Sequence, residues 1–152
     1  MDDVVVSQSS QIPVMIWVFL GIIVFAALVF AIVKIKKLLT RPEMFGLTRE
    51  EVQRRWTQIR ETSGQGMMGA KLAIMEADTL LDSALKSMSM PGTTLGERLK
   101  VACYKYPKLK DVWWAHKLRN QLVHEASFQT GPRQVRQALD EYERALKTLN
   151  LF

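Results

Sequence analysis

Three observations predict an all-α chain, with a single N-terminal transmembrane helix followed by a bundle of four to five helices. Residues 14–33, VMIWVFLGIIVFAALVFAIV, run for twenty positions without a charge. Beyond them, apolar residues recur at spacings of three and four, the period of an amphipathic helix. No stretch alternates apolar and polar for long enough to make a half-buried strand.

The apolar run is sized for a bilayer. At about 1.5 Å rise per residue, twenty residues reach roughly 30 Å, the thickness of the hydrocarbon core. A helix is the form in which a lone segment bonds all its backbone polar groups within lipid. Trp17 stands near the outer end, where an indole prefers the interface. A cleaved signal peptide would have a basic leader and a shorter apolar run. Here Asp2 and Asp3 precede a full-length run, so a retained anchor is expected. Lys34, Lys36, Lys37 and Arg41 follow it, and the positive-inside rule then sets the N-terminus outside and the C-terminal domain in the cytoplasm, at the inner membrane. The expected organisation is a short tail over 1–13, the transmembrane helix over 14–33, a basic juxtamembrane linker over 34–47, and a helical domain over 48–152.

Local signals divide that domain into helices. Pro42 disfavours helix at Arg41. Thr48 with Glu51 three residues on forms a capping-box pattern, opening a helix to about residue 61 with Val52, Trp56 and Ile59 on one stripe. Ser63-Gly64-Gln65-Gly66 is a joint. A second helix follows over about 67–88, carrying Ala73, Ala77, Leu81, Ala84, Leu85 and Met88 on one face. Pro91-Gly92 ends it, and Thr93 or Thr94 caps a short third helix, LGERLKVACYK, with Leu95, Leu99 and Ala102 in register. Tyr106-Pro107 marks a turn before a fourth helix over 108–125. After a loop at 126–131, Pro132 opens a fifth helix in the first-turn position where its missing N–H costs nothing. Val135, Leu139, Tyr142, Leu146 and Leu149 form its inner face.

Composition narrows the function. Formal net charge is +6, and residues 47–152 contribute +5 of it, from 17 basic and 12 acidic side chains. A basic surface favours anionic partners such as phosphate backbones or acidic lipid. The single cysteine, Cys103, excludes an internal disulfide. No Cys/His spacing suits a metal, and Gly64-Gln65-Gly66 lacks the length and lysine of a phosphate loop. Neither a metal nor another cofactor is implied.

The fourth helix carries the chemistry. At about 100° per residue, His116, Arg119, Asn120 and His124 fall within one arc of about 140°, together with Trp113, Val112 and Val123. Trp114, Ala115, Leu118 and Leu122 take the opposite arc and are expected to face the core. An outward face mixing Trp and Val with Arg and His reads as a contact surface or the lip of a site.

Arg119-Asn120-Gln121-Leu122-Val123-His124 is an R-x4-H motif with asparagine directly after the arginine, on a late helix of a small bundle. This resembles the HEPN superfamily (higher eukaryotes and prokaryotes nucleotide-binding), over roughly residues 48–150. The string WWAHKLRNQLVHE, with LGERLK and MEADTLLDSAL before it, also resembles small bacterial membrane-anchored proteins. The resemblance implies a HEPN-like bundle and a metal-independent endoribonuclease, working as a homodimer through helix 108–125. By that resemblance His124 serves as general acid or base at the ribose 2′-hydroxyl, Arg119 grips the scissile phosphate, and Asn120 orients one of them. The acidic pair that the family often adds matches Glu76-Ala77-Asp78. Those carboxylates lie about 200° apart on a helix, so at most one shares the site, and Glu76 is the favoured partner of Arg119. His116 lies outside the motif and is assigned to the surface or interface. The alternative is a non-catalytic interaction or dimerisation module. Arg119 and Asn120 then tie helices together, with Arg119 bridging to Glu76, Asp78 or Asp82, and His124 interacts with a helix C-terminus.

Arg98, Lys100, Lys105, Lys108 and Lys110 fall within thirteen residues, interleaved with Tyr104 and Tyr106. Such a run suits an RNA backbone with a stacking partner, and it equally suits an exposed short helix and turn.

Overall fold

The computed structural model describes residues 14–39, 44–125 and 128–152. The expected tail over 1–13, the break at Arg41-Pro42 and residues 126–127 of the expected loop lie outside the described residues. Among the described residues there are six α-helices, one 3-10 turn and no strand. The chain divides into two units, residues 1–40 and 41–152.

The first unit is one helix, α1 (Val14–Leu39). Its segment Ile16–Ile35 has a mean hydropathy of 3.0 and is long and apolar enough to cross a membrane. Every side chain described along it is exposed, on all faces of the helix. The helix does not stop at residue 33. Residues 34–39, assigned above to a linker, continue it, because Lys and Leu are good helix formers and no breaker intervenes. The Lys34 ammonium lies 5.5 Å from the centre of the Phe30 ring.

The second unit holds α2 (Arg49–Ser63), α3 (Gly66–Ser87), α4 (Leu95–Lys105), a 3-10 turn (Pro107–Asp111), α5 (Val112–His124) and α6 (Pro132–Thr148). The expected caps largely form. The Thr48 hydroxyl accepts the Glu51 N–H at 3.1 Å, although the Glu51 carboxylate goes to Arg54 and leaves the box half made. Thr94 caps α4 in a full box, its Oγ1 accepting from Glu97 N while the Glu97 carboxylate accepts from the Thr93 and Thr94 N–H groups. Gly131 precedes Pro132, and its N–H donates to Gln134 Oε1 at 3.0 Å.

Helix α3 is the centre of this unit and packs on α2, α4, α5 and α6. Its expected stripe is buried, joined by Ala70, Ile74 and Leu80, which the one-face reading left out; Met88 is half-buried. Ile74, Leu80, Leu81 and Leu85 meet Leu99, Leu109, Leu139, Tyr142 and Leu146 in one core. Each such Leu or Ile contributes about 1.5–3 kcal/mol by leaving water. At the turn between α2 and α3, a Cβ on Gly69 would stand 2.3 Å from the Thr62 carbonyl oxygen. Only glycine lets the two backbones approach that closely.

The expected fourth helix over 108–125 is two elements. Pro107 opens the 3-10 turn, which buries Leu109, and α5 begins at Val112. The assignment of its faces is corrected too. Val112, placed outward above, is 1% exposed, whereas Trp114, placed inward, is 37% exposed. Trp113 is half-buried against the core. Helix α5 packs against α3, α6 and the 3-10 turn together, so its covered surface is wider than one stripe and is rotated from the arc that hydropathy alone selects.

Candidate functional site

The polar residues of α5 converge on one carboxylate from α3. Asp78 sits among Ile74, Ala77 and Leu81 on the inner face, and its side chain is 6% exposed. A buried carboxylate needs partners, because desolvation alone costs several kcal/mol. Asp78 has three. Its Oδ1 accepts the Tyr142 hydroxyl at 2.8 Å and stands 2.7 Å from His116 Nδ1. Its Oδ2 lies 3.3 Å from Arg119 Nε, an ion pair with no hydrogen bond aligned along it.

Two further bonds close the ring. Arg119 Nη1 donates to Asn120 Oδ1 at 3.1 Å, which fixes the Asn120 amide with its Nδ2 toward His116 Nε2, 3.3 Å away. An amide nitrogen only donates, so His116 Nε2 accepts, and its proton sits on Nδ1, pointing at Asp78. The imidazole stacks edge-on to Trp113, with ring centres 5.9 Å apart. Gly96 of α4 closes the other side: a Cβ there would lie 3.8 Å from His116 Nε2 and 3.6 Å from the Trp113 ring. Burial, with the Asp78 carboxylate second, pushes the Tyr142 hydroxyl well above its ordinary 10.0 and keeps it a neutral donor.

This arrangement revises several expectations. Asp78, and not Glu76, faces Arg119; Glu76 lines a separate groove with Arg55, Gln58 and Glu61, on the far side of α3 from the carboxylate it neighbours in sequence. His116, expected at the surface or an interface, is 13% exposed and bonded at both ring nitrogens within the helical unit. Arg119 is largely drawn inward, with 28% of its side chain exposed. His124 stands apart from the network as the exposed last residue of α5. Tyr142, read above only as core, completes the network; the signal for it was a hydroxyl on an otherwise apolar stripe, which must find a partner when buried.

The basic run also divides. Arg98 does not face solvent: its side chain is 8% exposed and its Nη1 donates to Asp82 Oδ1 at 3.2 Å, tying α4 to α3. A long basic side chain that falls on the Leu95–Leu99–Ala102 face is carried inward with it. Lys100, Lys105, Lys108 and Lys110 are exposed. Among the described residues no group of three His, Cys, Asp or Glu side chains could hold a metal ion.

No family model matches the chain, and neither a curated protein nor a solved structure matches it.

Proposed function

We propose that the chain is a membrane-tethered helical module related to the HEPN superfamily, and that it acts by association and not by catalysis. The anchor is α1, with the N-terminus outside and the helical unit in the cytoplasm. The reading rests on one observation: Arg119 is spent on Asp78 and Asn120, and His116 on Asp78 and Asn120, so the polar residues of α5 work as a buried clasp. What α5 offers outward is a mixed face, with Trp114 and Val123 exposed beside Lys117, Gln121 and His124. Association pairs two copies through this face.

The endoribonuclease reading keeps a specific observation of its own. His124 is exposed at the end of α5, and Arg119 retains a solvent-facing fraction that a phosphate in a two-copy site would use. One experiment separates the two. The full chain, in nanodiscs and in chelator, is incubated with RNA alongside His124→Ala, and its oligomeric state is read by sedimentation with and without Trp114→Ala. The module reading expects no cleavage and a dimer weakened by Trp114→Ala. Cleavage that disappears in His124→Ala overturns it. Alkaline extraction tests the anchor: a retained α1 stays with the membrane, whereas a processed signal releases the helical unit.

A further inference from the structure

A second surface, which shares only the Trp113 ring with the α5 clasp, has the chemistry of a ligand site. Where α4 ends and the 3-10 turn begins, a groove of about 590 Å³ is lined by Lys100, Cys103, Tyr104, Pro107, Lys110 and Trp113. That volume falls within the roughly 300–1,000 Å³ usual for small-ligand sites. Tyr104 is 90% exposed, an unusual state for an aromatic ring in a well-packed domain. Nothing in the fold requires the ring there, since the core positions of α4 are Leu95, Leu99 and Ala102.

The charge around the groove is one-sided. Lys100 and Lys110 stand on its walls, and Lys105 and Lys108 flank it, all exposed. Among the described residues none of the four makes an ion pair within 4 Å. The carboxylate on α4, Glu97, is hydrogen-bonded to the Thr93 and Thr94 N–H groups and the Thr93 hydroxyl, and it feels the Lys100 charge only as a lesser influence. A concave site with an exposed ring, a second ring in its wall and lysines around its rim matches an unstacked base joined to phosphates. A flat acidic bilayer matches the lysines but not the concavity.

We infer that this groove binds single-stranded nucleic acid, with Tyr104 as the stacking platform for one base and Lys100 and Lys110 on the adjoining phosphates. The inference goes beyond the association reading by giving the tethered module a ligand, and it needs neither dimerisation nor cleavage. A duplex keeps its bases stacked on each other, so only its phosphates reach the lysines.

The test is fluorescence anisotropy of a labelled ten-nucleotide RNA with the full chain in nanodiscs of zwitterionic lipid. The expected result is salt-dependent binding, at least tenfold tighter for the single strand than for a duplex of equal length. Tyr104→Ala weakens binding about tenfold and leaves the salt slope unchanged. Lys110→Glu weakens it at least tenfold, whereas the charge-matched Arg133→Glu, on α6, changes it less than twofold. Both Tyr104 and Lys110 are exposed, and unchanged circular dichroism confirms that their variants fold. Equal binding of single strand and duplex, or equal losses in Lys110→Glu and Arg133→Glu, overturns the assignment. So does a finding that the groove variants lose binding to acidic vesicles while their RNA binding is intact.

Discussion

Asp78 on α3 and His116 on α5 meet at 2.7 Å through Oδ1 and Nδ1, and the same oxygen takes the Tyr142 hydroxyl from α6 at 2.8 Å. Three helices are therefore joined at one atom, and Arg119 adds its charge at the other oxygen. Removing the carboxylate leaves a buried hydroxyl and an imidazole N–H without their acceptor, and the Arg119 guanidinium without its counter-charge. Asp78→Ala is expected to cost about 3–5 kcal/mol, the usual penalty for breaking a buried ionic cluster from one side. Denaturant unfolding of the full chain in micelles, followed by near-ultraviolet circular dichroism, measures it. Tyr142→Phe alone costs about 1–3 kcal/mol. The double variant falls short of the sum, because the second change removes a partner already lost. Strict additivity would show that the clasp does not act as a unit.

Tyr142 also predicts an alkaline weakness. Its folded pKa lies above the ordinary 10.0, so between those two values the folded state holds a proton that the unfolded state has released. Its stabilising contribution is complete below about pH 10 and is lost as pH rises toward the folded value. The slope from this one group is at most about 1.36 kcal/mol per pH unit. Stability measured from pH 8 to 11 should fall more steeply in the unsubstituted chain than in Tyr142→Phe. Parallel curves would remove the hydroxyl from the account.

Helix boundaries were legible because their signals are local. Thr94 with Glu97, Pro132 after Gly131, and Thr48 before Arg49 each act within one turn, and each stands where the sequence predicts. The faces of α5 were legible at Ala115 and Leu118, which are buried as expected, but not at the edges of the stripe, which depend on how many neighbours cover it. A one-stripe reading assigns Trp114 to the core and Val112 to the outside, but α3 and α6 both close on α5 and select Val112. Asp78 lies between the two cases. Its spacing of four from Ile74 and seven from Leu85 puts it on the core stripe of α3, a legible sign of a buried, paired carboxylate. Its partner was not legible, because nothing local distinguishes Arg119 facing Asp78 from Arg119 facing Glu76. Arg98 shows the same limit: a guanidinium inside a cluster of lysines looks like part of their surface until its helical phase is weighed.

Gly69 predicts a purely steric failure. A methyl group there would meet the Thr62 carbonyl oxygen at 2.3 Å and Gln65 Cβ at 2.9 Å. In an exposed helix Gly→Ala stabilises by about 0.5–1 kcal/mol. Here the clash reverses the sign, and Gly69→Ala should destabilise by about 1–3 kcal/mol as α2 is pushed from α3. The exposed Gly64 has only the Glu61 carbonyl oxygen near, at 3.4 Å, and Gly64→Ala serves as the control, expected to lie within about 0.5 kcal/mol of the unsubstituted chain. Thermal unfolding of both variants decides it. Equal behaviour would show that the joint relaxes freely.

The Arg98–Asp82 pair predicts an asymmetry that separates a structural arginine from a ligand-binding one. Arg98 is 8% exposed and Asp82 34%, so the two ends of the bond differ in what water can replace. Asp82→Ala strands a buried guanidinium whose Nε already lacks a partner, and should cost about 2–4 kcal/mol. Arg98→Met keeps most of the buried volume and leaves Asp82 to be hydrated, and should cost less than about 1.5 kcal/mol. The RNA affinity of Arg98→Met is expected to stay within twofold, unlike that of Lys110→Glu. If Arg98→Met were instead stable as expected but unable to bind RNA, its guanidinium would have to leave Asp82 on binding, and the division of the basic run into one inward and four outward side chains would fail.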